Sequence, residues 1–285
     1  MFTRLLVGFD GSPASRVALE QAIGIGRKFR ATIILARIPA PGPQPAASPD
    51  RVLTGAGARC ALGPQALPGP SDDQIGEAMA LVNRAGLRAE LAETPADPVW
   101  GLHNLATTVD LLFVGRGDGG RDGSGGGSTD GPDDDPVGSY TRDIIQIAPV
   151  PVMVCGTEAT RFERCAVAVG DGPTDRRALA LAARYAGITG ARLDLLLAAP
   201  ESAGESRADD AMAEAASILS EPPVRFEIHP NPGGADRHHA IAEAVDRLGC
   251  DGLFVGGMVT GRRLSVPSHT EAILRATDIP VLVHN

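Results

Sequence analysis

The sequence has one lysine, Lys28, no CxxC pair, no basic run, and no apolar stretch near the roughly 18 consecutive residues that a membrane-spanning helix needs. Each shortage removes a class of function. Without clustered cations, and with a net charge of -9, the chain offers nucleic acid or an anionic membrane nothing to hold, so neither is expected as a partner. The four cysteines, Cys60, Cys155, Cys165 and Cys250, lie far apart, and three of them border apolar runs. Reduced, buried thiols are therefore expected rather than a disulfide framework. Met1 leads straight into a strand-like run without a charged leader, which points to the cytoplasm. The bias of the other cations to arginine carries no functional weight.

What is present is a rhythm of short apolar runs alternating with helical patterns. Leu5 to Phe9 and Thr32 to Ile38 have the continuous apolar character of parallel strands covered on both faces. Between them, Ser12 can cap a helix with Pro13 at its first position, running to about Phe29. Residues 39 to 71, rich in Pro, Ala and Gly, predict a long loop. A helix from Asp72 to Arg84, a strand from Leu87 to Glu93, a helix opened by Asp97-Pro98, a strand from Leu111 to Val114, a helix after Ser139 and a strand from Val150 to Cys155 follow. Alternating strands and helices predict right-handed βαβ units and a parallel sheet.

The scheme then repeats. Strands are expected at Cys165 to Val169, Leu193 to Ala198, Val224 to His229, Leu253 to Val255 and Val281 to His284. Helices are expected at about 174 to 188, 206 to 219, 236 to 248 and 268 to 276. Matched landmarks drift: Leu5 pairs with Cys165 at an offset of 160, Leu111 with Gly252 at 141, and Val150 with Ile279 at 129, so the second copy is shorter in its loops. With 285 residues and 43% apolar content, two domains, 1–158 and 159–285, are expected, each with its own core.

The centre of the chain is DLLFVGRGDGG, a long Gly/Asp spacer, and GSYTRDIIQIAPVPVMVC, from Asp110 to Cys155. A strand emptying into a glycine loop ahead of a helix N-terminus presents free backbone N–H groups and a positive dipole end, which suits a phosphate. Between Gly115 and Gly138 lie Arg116 and Arg121 against six aspartates. Like charges about 4 Å apart repel by roughly 1 kcal/mol in water, so an ordered acidic loop would oppose a triphosphate unless Mg²⁺ intervened. A solvated insertion looping away from the site is the other reading.

LLVGFDGSPASRVAL, the Asp97-Pro98 helix start, DLLFVGRG and GSYTRDIIQIAPVPVMVC resemble universal stress protein domains, in two tandem copies over nearly the whole chain. The resemblance implies an α/β fold of two doubly wound domains, each a five-stranded parallel sheet in the order 3-2-1-4-5 with helices on both faces. It places the ligand beyond the first and fourth strands. It also implies pairing of the two fifth strands with each other, and leaves further self-association into a homo-oligomer open.

In nucleotide-binding members the loop after the fourth strand wraps the phosphates of ATP. The match places ligand contacts on Asp10, Gly11, Ser12, Arg37, Ile38, Gly115, Arg116, Gly117, Gly138, Ser139 and Tyr140. The family's second loop glycine falls on Asp118 unless the register slips to Gly117 and Gly120. Asp10 either accepts hydrogen bonds from the adenosine or caps the turn before the first helix. Arg37 and Ile38 mark where backbone would read the adenine edge. The implied cofactor is ATP, with or without Mg²⁺, in the first domain alone. In the second copy Gly170 or Asp171 stands in for Asp10, and Pro267-Ser268 replaces the closing Gly-Ser, removing an N–H.

No GxxxxGK[ST] loop is present, the adjacent His238 and His239 point to different helix faces, and the other histidines are isolated. The Asp133-Asp134-Asp135 run reads as a solvated spacer. Neither a metal site nor a catalytic centre is expected. Three functions stay in play: an adenine-nucleotide-binding stress-response regulator, a nucleotide-free interaction module with decayed pockets, and a very weak ATP hydrolase.

Overall fold

A computed structural model describes residues 1–38, 69–94, 97–116, 139–170, 173–197, 217, 226–229, 237–257 and 268–284. Its first half contains β1 (Arg4–Phe9), α1 (Pro13–Phe29), β2 (Thr32–Arg37), α2 (Asp72–Arg84), β3 (Ala89–Glu93), α3 (Pro98–Ala106), β4 (Leu111–Gly115), α4 (Ser139–Ile147) and β5 (Val152–Cys155). The second half contains β6 (Arg164–Val169), α5 (Pro173–Thr189), β7 (Arg192–Leu197), β8 (Phe226–His229), α6 (Arg237–Leu248), β9 (Gly252–Gly256), α7 (Ser268–Ala276) and β10 (Val281–His284). Of the helix expected over 206–219, only residue 217 lies within the described residues, and it is helical.

Local chemistry explains the element ends. Ser12 caps α1, its side chain accepting the Ser15 N–H at 3.2 Å with Pro13 at the first helical position, and the helix closes on Arg30 in the left-handed region, φ 54°. Ser71 and Gln74 form a reciprocal capping box at the start of α2. Pro151 cannot donate, so β5 begins at Val152, two residues later than the apolar run suggests.

Within each half the strands are parallel and run in the order 3-2-1-4-5. The halves meet edge to edge, giving one ten-stranded order, β3-β2-β1-β4-β5-β10-β9-β6-β7-β8. Among the described residues only the β5–β10 junction is antiparallel, with Val152 opposite Val283, Met153 opposite Leu282 and Val154 opposite Val281. Met153 and Leu282 are equivalent positions of the two copies, so a pseudo-twofold axis passes between them. Both are buried, and each contributes roughly 1.5–3 kcal/mol on leaving water.

The sequence suggests one core per domain, and the structure corrects that. One apolar layer joins α1, α2 and α5 to Leu5, Val7, Phe113, Met153, Val167, Phe254 and Leu282, and therefore runs through both halves. The opposite layer joins α3, α4, α6 and α7 to Leu6, Leu112, Val154, Ala166, Leu253 and Val281, again across both. The sheet separates the cores; the repeat boundary does not, because strands alternate their side chains between faces and the sheet is continuous.

The connecting segment is tied to both halves. The Thr160 N–H donates to Gln21 Oε1 at 2.7 Å, the Thr160 hydroxyl to the Asp251 carbonyl at 2.6 Å, and Lys28 Nζ to the Phe162 carbonyl at 3.2 Å. Lys28 also lies 5.5 Å from the Tyr185 ring centroid. Cys155, Cys165 and Cys250 are buried as free thiols, and burial pushes all three up, Cys250 to about 12, so they pack as small hydrophobes. No helix among the described residues is long and apolar enough to cross a membrane.

Candidate functional site

In the first half β1 is flanked by β2 and β4, so the winding of the parallel strands reverses beside it, and its carboxyl end is the switch point where such sheets form a crevice. Asp10 leaves β1 into this crevice. Its Oδ1 accepts the Ser12 N–H at 2.9 Å, the turn-capping arrangement. Gly11 has φ +83°, a left-handed conformation that favours glycine, and a Cβ there would sit 3.1 Å from the Gln74 amide. Ser12 is spent on α1: its carbonyl accepts the Ser15 hydroxyl at 2.9 Å and the Arg16 N–H at 3.1 Å.

On the other wall, Gly115 ends β4 against the first turn of α1. A Cβ at Gly115 would fall 2.5 Å from the Ala14 carbonyl carbon and 2.7 Å from Ala14 Cβ. Glycine is required here by helix–strand packing, whatever binds above it. The Gly115 carbonyl accepts the hydroxyl of buried Thr141 at 3.1 Å, which pins the first turn of α4 to the end of β4. Beside it, the Tyr140 hydroxyl donates to the Pro98 carbonyl at 3.2 Å. Burial first, then the charges of Asp10 and Asp97, push that phenol well up, so it stays a neutral donor. Asp97 itself caps α3 through the Val99 and Trp100 N–H groups at 3.0 and 3.2 Å.

Asp10, Gly115, Ser139 and Tyr140 thus come to one end of the sheet, with Ser139 as the first residue of α4. Gly117 and Gly138 lie outside the described residues. Ile38 and Arg37 are turned to other work. The Ile38 side chain is buried against Gly8 and Leu102, and its N–H donates to the Phe9 carbonyl at 2.9 Å. The Arg37 carbonyl accepts the Thr94 hydroxyl at 2.6 Å, while its guanidinium pairs with Asp72 at 2.6 Å and Glu93 at 3.6 Å. Arg116 faces the second half, with Nη1 3.6 Å from Asp278 Oδ1. Burial lowers its pKa against the raising effect of Asp278.

Sequence reasoning missed Thr141 and Gln74. Thr141 had a signal in the repeat: Thr270, its counterpart at the 129 offset, is buried as well. Gln74 was readable as a capping-box residue, but its approach to Gly11 depends on how α2 packs.

The equivalent crevice of the second half is built differently. The β6 register places Gly170, not Asp171, at the position of Asp10. Asp175 stands where the first half has Ser15, and its carboxylate lies at the ends of both β6 and β9: a Cβ on Gly170 would be 2.5 Å from its Oδ2, and a Cβ on Gly256 2.5 Å from its backbone nitrogen. An acidic side chain therefore fills the space at the α5 N-terminus, where the dipole favours negative charge. Elsewhere in this half Asp194, Glu227 and His229 come close enough to share a cation. Arg164 already meets Asp194 at 3.0 Å and Arg192 pairs with Glu227, so the group is a closed ion-pair network.

The family model described as "Universal stress protein family" matches residues 1–156. No curated protein matches the sequence. A universal stress protein from Archaeoglobus fulgidus DSM 4304 superposes with a TM-score of 0.69 at 17% identity, over 99% of this chain and 96% of that one. A functionally unknown protein from Pseudomonas aeruginosa PAO1 does so with a TM-score of 0.65 at 13% identity, over 99% and 92%. A universal stress protein from Archaeoglobus fulgidus in complex with dAMP covers 44% of this chain and 98% of its own length at 18% identity and a TM-score of 0.36. At these identities the first two superpositions report fold alone. The family model, spanning more than half the sequence, carries the assignment: the chain belongs to the universal stress protein family.

Proposed function

We propose that the chain is a non-catalytic stress-response regulator of the cytoplasm that binds one adenine nucleotide, ATP with or without Mg²⁺, in its first half. The observation that supports this most is the contrast at the two switch points. The first crevice keeps a carboxylate at Asp10 and an α4 N-terminus anchored beside Gly115, whereas the second has lost the carboxylate and is filled by Asp175.

In this reading Asp10 accepts hydrogen bonds from the adenosine, and the backbone around Gly115, Ser139 and Tyr140 takes the phosphates at the helix N-terminus. Absence of turnover is part of the proposal: Tyr140, the titratable group beside Asp10 at the start of α4, is held protonated by burial and so is no general base. Calorimetry of the full chain with MgATP tests it. Binding of one nucleotide with no phosphate released over hours supports the reading, and absence of heat at high micromolar protein ends it.

A nucleotide-free interaction module has one observation in its favour, since Asp10 Oδ1, the Arg37 carbonyl and the Ile38 N–H already have internal partners. Mass spectrometry of small molecules released from the purified protein separates the two, with bound adenine nucleotide expected.

A further inference from the structure

Arg116 is the residue that immediately follows Gly115, so it stands where β4 ends and the first turn of α4 is pinned by Thr141. Its side chain is only 11% exposed. Nη1 has Asp278 at 3.6 Å, an ion pair without a hydrogen bond, and buried Nε and Nη2 have no hydrogen-bond partner among the described residues. Nε and Nη2 form one edge of the guanidinium, the pair of parallel donors that matches two oxygens of a phosphate. A buried cation with that edge unmet is costly to hold, and an arriving anion would lower the cost.

Asp278 belongs to the second half, between α7 and β10, with its side chain 84% exposed. The pseudo-twofold axis does not repeat the pair. The counterpart of Arg116 is Gly257 and that of Asp278 is Pro149, so only the first half carries this link. A second link lies on α4 itself: Arg142 Nη2 meets Glu271 Oε1 of α7 at 2.8 Å, and these two residues occupy equivalent positions of the two copies with opposite charge. Both elements that flank the proposed phosphate site therefore reach an acid of the other half.

We propose that Arg116 is contested between a phosphate oxygen of the nucleotide and Asp278, so that nucleotide binding in the first half loosens its junction with the second. The inference rests on the nucleotide reading above. Ligand takes the Nε–Nη2 edge and draws the guanidinium from Asp278, and by linkage Asp278 weakens nucleotide binding to the same degree.

The test is calorimetry of the full chain with MgATP for wild type, Asp278→Asn, Arg116→Gln and the double variant. Asp278→Asn changes a surface side chain and is expected to leave the fold intact. It is expected to tighten binding about fivefold, the lower end of an inter-site coupling, and to have no effect in the Arg116→Gln background. Wild-type binding with Asp278→Asn unchanged overturns this inference alone, as does a tightening that persists without Arg116. Absence of binding by the wild type overturns this inference and the nucleotide reading together.

Discussion

At the end of β1 the first half has Asp10 and a capped Ser12–Pro13 turn, with Ser15 buried in the first turn of α1. At the end of β6 the second half has Gly170, with Asp175 in place of Ser15 and its carboxylate reaching across to Gly256. The strands, their order and the fourth-strand glycine are the same in both. The difference teaches which features of this fold serve packing and which serve a ligand. Gly115 and Gly256 both lie under the first turn of a helix that leaves no room for a Cβ, so that glycine persists where the crevice is filled and says nothing of phosphate. The carboxylate at Asp10 and the exchange of neutral Ser15 for the acidic Asp175 are what separate the two crevices.

The comparison also has a common floor, because each core layer runs through both halves. Phe113 and Phe254 are counterparts, both fully buried, and Phe254 packs against Phe162 and Tyr185 with ring centroids 5.4 and 5.9 Å away. Truncating either to alanine is expected to cost about 3–5 kcal/mol, and thermal unfolding should remain a single transition in each variant. Two separated transitions would mean that the halves are independent after all.

Next in size is the transplant of the second half's defining residue. Ser15→Asp puts an acid at the α1 N-terminus of the first crevice, as Asp175 does at α5, and is expected to weaken MgATP binding at least tenfold by about 1.4 kcal/mol or more of Coulomb repulsion in a partly desolvated site. Calorimetry reads the affinity, and a thermal melt confirms that the variant is folded.

A smaller difference concerns acid. Asp194 replaces Ile34 of the first half and is fully buried. Burial alone would raise its pKa, but hydrogen bonds with His229 and Arg164 outweigh that and hold it below the usual carboxylate range. A depressed folded pKa contributes stability that is complete above the unfolded value near 4 and is lost as pH falls through the folded one. Asp194→Asn should therefore reduce stability at neutral pH and flatten its loss below about pH 4, seen by urea titration across pH.

The smallest expected effect is at the pseudo-twofold axis. Arg142→Glu removes the pair with Glu271 and places like charges together, costing about 1 kcal/mol or less at this part-exposed site. Reversing both, Arg142→Glu with Glu271→Arg, should recover part of it.

Much of this was legible in the sequence. Offsets of 160, 141 and 129 between the copies locate the strands, and the continuous apolar runs predict their parallel, doubly covered setting. Ser12-Pro13, Ser71 and Asp97 announce their helices, because capping is a local matter of one side chain and the next few N–H groups. The division of the core by sheet face was not legible, since it follows from the edge-to-edge junction of β5 and β10, a contact between residues about 130 apart. The engagement of the Arg37 carbonyl and Ile38 N–H was hidden because main-chain contacts leave little mark on residue identity. Asp175 could be read as an acid in the first turn of a helix, but its reach toward Gly170 and Gly256 required the register of β6 against α5.

The claim that the two crevices differ in function is tested most directly by the stoichiometry of MgATP binding to the full chain. The account predicts one site per chain, lost or much weakened in Asp10→Ala and untouched in Asp175→Asn. Two sites, or one site that survives Asp10→Ala and disappears in Asp175→Asn, would contradict it.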